Sequence, residues 1–117
     1  MHSDAVHTAD EQLATSLELM PNAALAHTLS GELLAANPEG AALLARTRHG
    51  WRDSDGATPW EQAAGGASHT SELRLESTDG SSRWVSAFSR PTTAHDGQGI
   101  VVTTLIDTTE RRGWAAE

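Results

Sequence analysis

Three β-type runs fill the second half of the chain, and two Asp-Gly pairs separate them. SELRLES (71–77) sets Leu73 and Leu75 against Glu72, Arg74 and Glu76. Such alternation marks a strand that is buried on one side only. Asp79-Gly80 comes next, a dipeptide suited to tight hairpin turns because Gly takes positive φ without steric cost. RWVSAFSRP (83–91) is the second run, Asp96-Gly97 turns the chain again, and GIVVTTLI (99–106) is the third. Val101, Val102, Thr103, Thr104 and Ile106 are β-branched, which favours a pleated backbone. Strands joined by such short turns pair as antiparallel neighbours. A three-stranded meander is therefore the constraint that everything else must fit.

The first half supplies helices and a second hairpin. Thr8-Ala9-Asp10-Glu11 is a capping box, and Leu13, Leu17 and Met20 then recur at helical spacing on one face. Pro21-Asn22 closes that helix. AALAHTL (23–29) and ELLAA (32–36) are short β-like runs around the Ser30-Gly31 turn. Asn37-Pro38-Glu39 starts a helix, with Asn as cap and Pro at the first helical position. Residues 46–70 are irregular, with four Gly and scattered charges, except that Thr58-Pro59-Trp60-Glu61 repeats the cap signal and Gly65-Gly66 ends the short helix it opens. At the far end Asp107 ends the last strand and can cap a helix whose Glu110 bonds back.

Composition narrows the function. A length of 117 residues predicts one domain, and with 38% hydrophobic residues its core is small. The net charge of −8 argues against nucleic acid, whose phosphates need clustered cations. The absence of Cys removes disulfides, thiolate catalysis, Cys-ligated zinc and cysteinyl-flavin chemistry. No run has the roughly twenty apolar residues of a membrane span, and the first residues have neither the basic nor the apolar segment of a signal peptide. A soluble cytoplasmic protein is expected. No nucleophile elbow, phosphate-binding loop or dinucleotide fingerprint occurs, and the only paired-histidine spacing is His2/His7. No enzyme activity and no metal are expected.

Three stretches, in this order, resemble a PAS domain, the sensory fold common in bacterial signalling. LSGELLAANPEGAALLA (29–45) is similar to the family's second strand and the Asn-Pro opening of its first core helix. SELRLESTDGSSRWVSAFSRP (71–91) is similar to the strand, Asp-Gly turn and Arg-Trp strand of its C-terminal half, and GIVVTTLIDTTERR (99–112) to its last strand and Asp-x-Thr-Glu-Arg exit. The resemblance implies an α+β fold: a five-stranded antiparallel sheet with short helices on one face and an N-terminal amphipathic helix. It implies a flexible terminus at 1–8, one PAS domain at 9–112 and the start of a connector at 113–117. It also implies that Asn37, Asp107 and Thr109 hold the helix start and the signal exit. An excised sensor and a stand-alone PAS protein acting by association are the two readings of that exit.

The candidate sites lie on the two faces of the 83–91 strand. Periodicity alone puts Trp84 and Phe88 in the core; the resemblance puts Val85, Ala87 and Ser89 inside, opposite a ligand, and Trp84 and Phe88 outside. On the second reading Leu13, Leu17 and Met20 cover the aromatics, from the same chain or from a second copy in a homodimer. Val85, Ala87, Ser89, Val102 and Thr104 then line space for a small apolar ligand, which Trp51 and Trp60 either border or fill. The short span from Asn37 to Glu72 implies a shallower pocket than in flavin- or haem-binding relatives, or none. No cofactor is expected; His49 and His69 lie where haem-binding relatives place an axial ligand. The leading expectation is a PAS-type signalling module without catalysis, which senses a small molecule or pairs with itself, an output domain or a regulatory protein. A haem or flavin sensor is the alternative, and a small stand-alone enzyme on the same scaffold is the third.

Overall fold

A computed structural model describes residues 15–52, 56–94 and 96–109. The meander forms as its alternation and turns dictate. Strands β4 (His69–Ser77), β5 (Ser82–Thr93) and β6 (Gly99–Asp107) pair in order, with Leu73 opposite Val85 and Ser89 opposite Thr103. Both turns are closed by an Asp side chain. Asp79 accepts from the backbone N–H of Ser81 at 2.9 Å, and Asp96 from that of Gln98 at 2.9 Å, with Gly80 and Gly97 at φ +89° and +86°.

The early hairpin joins the same sheet. Strands β1 (Ala23–Thr28) and β2 (Leu33–Ala36) pair antiparallel, and β1 also lies beside β6, Leu25 opposite Thr103. First and last long strands thus meet at the centre. The sheet has six strands, not five, in the order β2-β1-β6-β5-β4-β3. The additional one is β3 (Thr47–His49), in the stretch expected to be irregular. Three residues, two of them the polar Arg48 and His49, carry no alternation, so periodicity could not mark it; pairing with Ser77 and Glu76 of β4 makes it a strand.

Two helices lie on one face. Helix α1 (Pro38–Arg46) begins at Asn37 and helix α2 (Pro59–Ala63) at Thr58, both with Pro at the first position. Leu43 of α1 with Trp60 and Ala63 of α2 joins Leu25, Leu73, Leu75, Val85, Ala87, Val101 and Leu105 in the inner core. Fully burying Leu25 or Leu75 contributes about 2 kcal/mol each. A helical turn at residues 15–18 lies on the other face, where Leu17 is buried with Ala24 and Ala26. Leu13 and the Thr8 cap lie outside the described residues.

Asn37 ties these parts together. Its Oδ1 accepts from Gly40 N–H at 2.8 Å, the expected cap, and from Ala24 N–H at 2.9 Å. Its Nδ2 donates to Leu17 C=O at 3.2 Å and Asn22 C=O at 2.7 Å. Its own N–H donates to Ala24 C=O at 3.1 Å. Gly40 completes the junction, since a Cβ there would run into the Ala24 carbonyl oxygen. A cap alone is worth about 1 kcal/mol. Asn37 is 2% exposed, so truncation also strands buried partners on three segments. Asn37→Ala should therefore cost about 3 kcal/mol in urea unfolding. A loss of only about 1 kcal/mol would mean that the cap acts alone.

Candidate functional site

The two faces of the sheet offer different surfaces. Val85, Ala87 and Ser89 are buried on the helix-covered face, while Trp84 is half-buried and Phe88 is 43% exposed on the other. Hydrophobicity alone would have turned the aromatics inward; the helices instead pack on the small side chains. Val102 and Thr104 do not share the inner face. Antiparallel neighbours across a sheet point the same way, and Ser89 and Ala87 pair with Thr103 and Leu105. Thr103 and Leu105 therefore point inward, and Val102 and Thr104 point outward beside Phe88 and Met20. Side-chain size and hydroxyls do not encode this facing of β6; the register with β5 does.

Tryptophan occupies the inner space. Trp60 stacks on His27, ring centroids 3.9 Å apart and planes 9° from parallel. Trp51, partly buried, tilts against Trp60 at 5.6 Å. The Ser89 and Thr103 hydroxyls satisfy each other at 2.8 Å. His27 is 3% exposed, and its Nδ1 has no hydrogen-bond partner. Desolvation disfavours the charged ring and pulls its pKa from 6.5 down to about 4, so His27 is neutral at pH 7. His49 is exposed on β3, and His69 is half-buried at the start of β4. Among the described residues no three His, Asp or Glu side chains gather into a metal-ligating group, and no helix is long and apolar enough to cross a membrane.

Among the described residues, the outer face is only partly covered. Leu17 with Met20 packs over Ala24, Ala26, Leu34, Ala35 and Val102, the β2-β1-β6 side of the sheet. Phe88 and Ile106 lie beyond that cover, 43% and 39% exposed, and half-buried Trp84 continues the strip along β5. A groove of about 360 Å³ runs between Met20 and this strip, past Thr70, Arg90 and Thr104. The expected contact of Leu17 with the two aromatics is thus replaced by one with the alanines of β1.

The exit is built from β5 and β6 together. Asp107 Oδ1 accepts from Thr109 N–H at 2.9 Å, and Oδ2 meets Arg83 Nη1 at 3.1 Å. Thr109 Oγ1 accepts from Trp84 N–H at 2.8 Å, and Thr108 N–H donates to Trp84 C=O at 2.8 Å. Glu110, the other half of the expected box, lies outside the described residues. No local pattern in the sequence links Arg83 to Asp107: 24 residues separate them, and only the strand pairing joins them.

Three solved structures are similar to this arrangement. The PAS domain of an HTR-like protein from Haloarcula marismortui matches with a TM-score of 0.56 at 16% identity, over 91% of this chain and 97% of that one. The PAS domain of Bordetella pertussis BvgS matches at 0.53 and 16%, over 97% and 96%. An RNA-binding light-oxygen-voltage receptor matches at 0.58 and 19% over 86% of this chain, which spans 33% of that receptor. No family model matches the sequence, and no curated protein is significantly similar to it. The chain has the PAS fold.

Two measurements probe these placements. For His27 the folded pKa lies below the unfolded one, so its contribution to stability is complete above pH 6.5 and is lost as pH falls towards about 4. The wild type should lose on the order of 2 kcal/mol more than His27→Phe between pH 7 and pH 5 in urea unfolding. Parallel pH profiles would show that His27 can protonate in place. For the exit, Asp107→Ala should cost about 1 kcal/mol and abolish hydrogen-exchange protection at Thr109 while 100–105 stay protected. Asp107→Asn keeps a capping oxygen and should retain most of that protection; full protection in Asp107→Ala would remove the cap.

Proposed function

We propose that this protein is a non-catalytic PAS-type signalling module that works by association, pairing two copies through the outer sheet face and passing the state of the sheet to the segment beyond Asp107. The observation that carries the reading is the contrast between the faces. The centre of the inner face is filled by the Trp60–His27 stack, whereas the outer face leaves Phe88 and Ile106 exposed beside Trp84. An apolar strip next to a groove, rimmed by polar residues, is the usual mark of a protein contact. A two-fold dimer uses the same patch twice, so one strip suffices. The fold likeness to the PAS domains of the HTR-like protein and BvgS supports a sensory role. The net charge of −8 supports a protein partner over nucleic acid. The inner hydroxyls of Ser89 and Thr103 are spent on each other, which supports the non-catalytic half.

Light scattering coupled to size exclusion tests the association. The wild type should run as a dimer, and Phe88→Glu should run as a monomer with a melting temperature within a few degrees of wild type, because an exposed position tolerates a charge. A monomeric wild type, or a Phe88→Glu dimer, would rule the interface out. The absorption spectrum of the same samples tests the alternative: a Soret band or a flavin envelope would replace this reading with a cofactor-binding sensor.

A further inference from the structure

A second cavity, of about 300 Å³, lies beneath α1 at the end of the inner face. Its apolar floor is Leu43, Val85 and Leu105, and two guanidinium groups, Arg46 and Arg83, border it. Helix α1 crosses the sheet from β1, where Gly40 abuts Ala24, to the end of β4, where the Arg46 carbonyl accepts from Thr78 N–H. Glu39, the acid of its first turn, therefore lies at the opposite end of the cavity from Arg46, about 10 Å away along the helix axis. Among the described residues the Arg46 side chain has no hydrogen-bond or ionic partner. Arg83 gives one Nη1 bond to Asp107, and its Nε is buried without an acceptor. A guanidinium carries five donors, so the cationic end holds more donors than the described residues satisfy. The other end has one carboxylate, Glu39, beside Asn22 and Ala23; the second, Asp107, sits on Arg83.

We infer that this cavity binds a small monocarboxylate with a short apolar body, its head between Arg46 and Arg83 and its body on Leu43, Val85 and Leu105. Charge-assisted, forked hydrogen bonding favours a planar carboxylate at two guanidinium groups. A dicarboxylate would set its second charge against Glu39. The head competes with Asp107 for Arg83. Asp107 also caps Thr109, so an occupied cavity loosens the tie between the exit and β5. This last step rests on the proposed signalling role; the binding itself does not.

Benzoate, with benzamide as its uncharged counterpart, probes the site by amide NMR titration of the full chain. Benzoate should move the Val85 and Leu105 amides saturably, and benzamide should not. Arg46→Gln should weaken benzoate about tenfold, the loss of one charge-assisted contact. Asp107→Asn removes the competing carboxylate while keeping a capping oxygen, and it should strengthen benzoate binding. A merely structural Asp107 would leave the affinity unchanged or reduced, and either result overturns the assignment, as do equal shifts with benzamide. Phe88→Glu, which tests the dimer, leaves this cavity intact and should titrate like wild type, so the two readings fail separately.

Discussion

Everything in this molecule is positioned by one carboxamide. Asn37 uses both lone-pair directions of its oxygen and both hydrogens of its nitrogen, and each goes to backbone. Its partners belong to the N-terminal helical turn, the segment entering β1, β1 itself and α1. A buried polar group that is fully satisfied fixes geometry in a way that apolar packing does not, because its bonds are directional. Ala24 answers with both of its backbone groups, and the missing side chain of Gly40 lets α1 come close enough for the exchange. From that knot Leu17 is placed on one face of the sheet and Leu43 on the other. The hydrophobic contacts supply most of the stability; the knot decides which contacts form.

Much of this was legible because it is local. The caps at Asn37, Thr58 and Asp107, the Asp-Gly turns and the alternating strands are each set by residues within a few positions, and each appears where the pattern puts it. The illegible parts depend on pairing across the chain. β3 exists only because β4 offers an edge to it. The facing of Val102 and Thr104 comes from a register that sets Ser89 opposite Thr103, and no run of six residues encodes that. Asn37 was readable as a cap but not as a junction, since Leu17 and Ala24 precede it by 20 and 13 residues. Arg83 and Asp107 carry no mutual signal in sequence for the same reason.

The filled inner face has a consequence for any sensing role. Small residues along β5 leave a trough, and Trp60 closes it with a ring stacked on a neutral histidine. Opening that trough for a large cofactor would displace the stack and expose Trp60 and His27, which are 9% and 3% exposed. The cavity beneath α1 and the groove beside Phe88 need no such rearrangement. Space is thus available at the rim and on the outside of the sheet, and the centre serves stability.

The start of β5 is where these spaces meet. Arg83 points to the inner rim, next to Leu105 and Val85, and Trp84 points to the outer strip with Phe88. Successive residues of a strand face opposite ways, so two adjacent positions reach both candidate surfaces. Both are tied to the exit, Arg83 through Asp107 and the Trp84 backbone through Thr108 and Thr109. A displacement of the 83–84 backbone would therefore alter the rim, the outer strip and the exit together. On the proposed reading, coupling needs no long path: the two faces of one strand are joined by its own peptide bonds, and residues 107–109 are hydrogen-bonded across it.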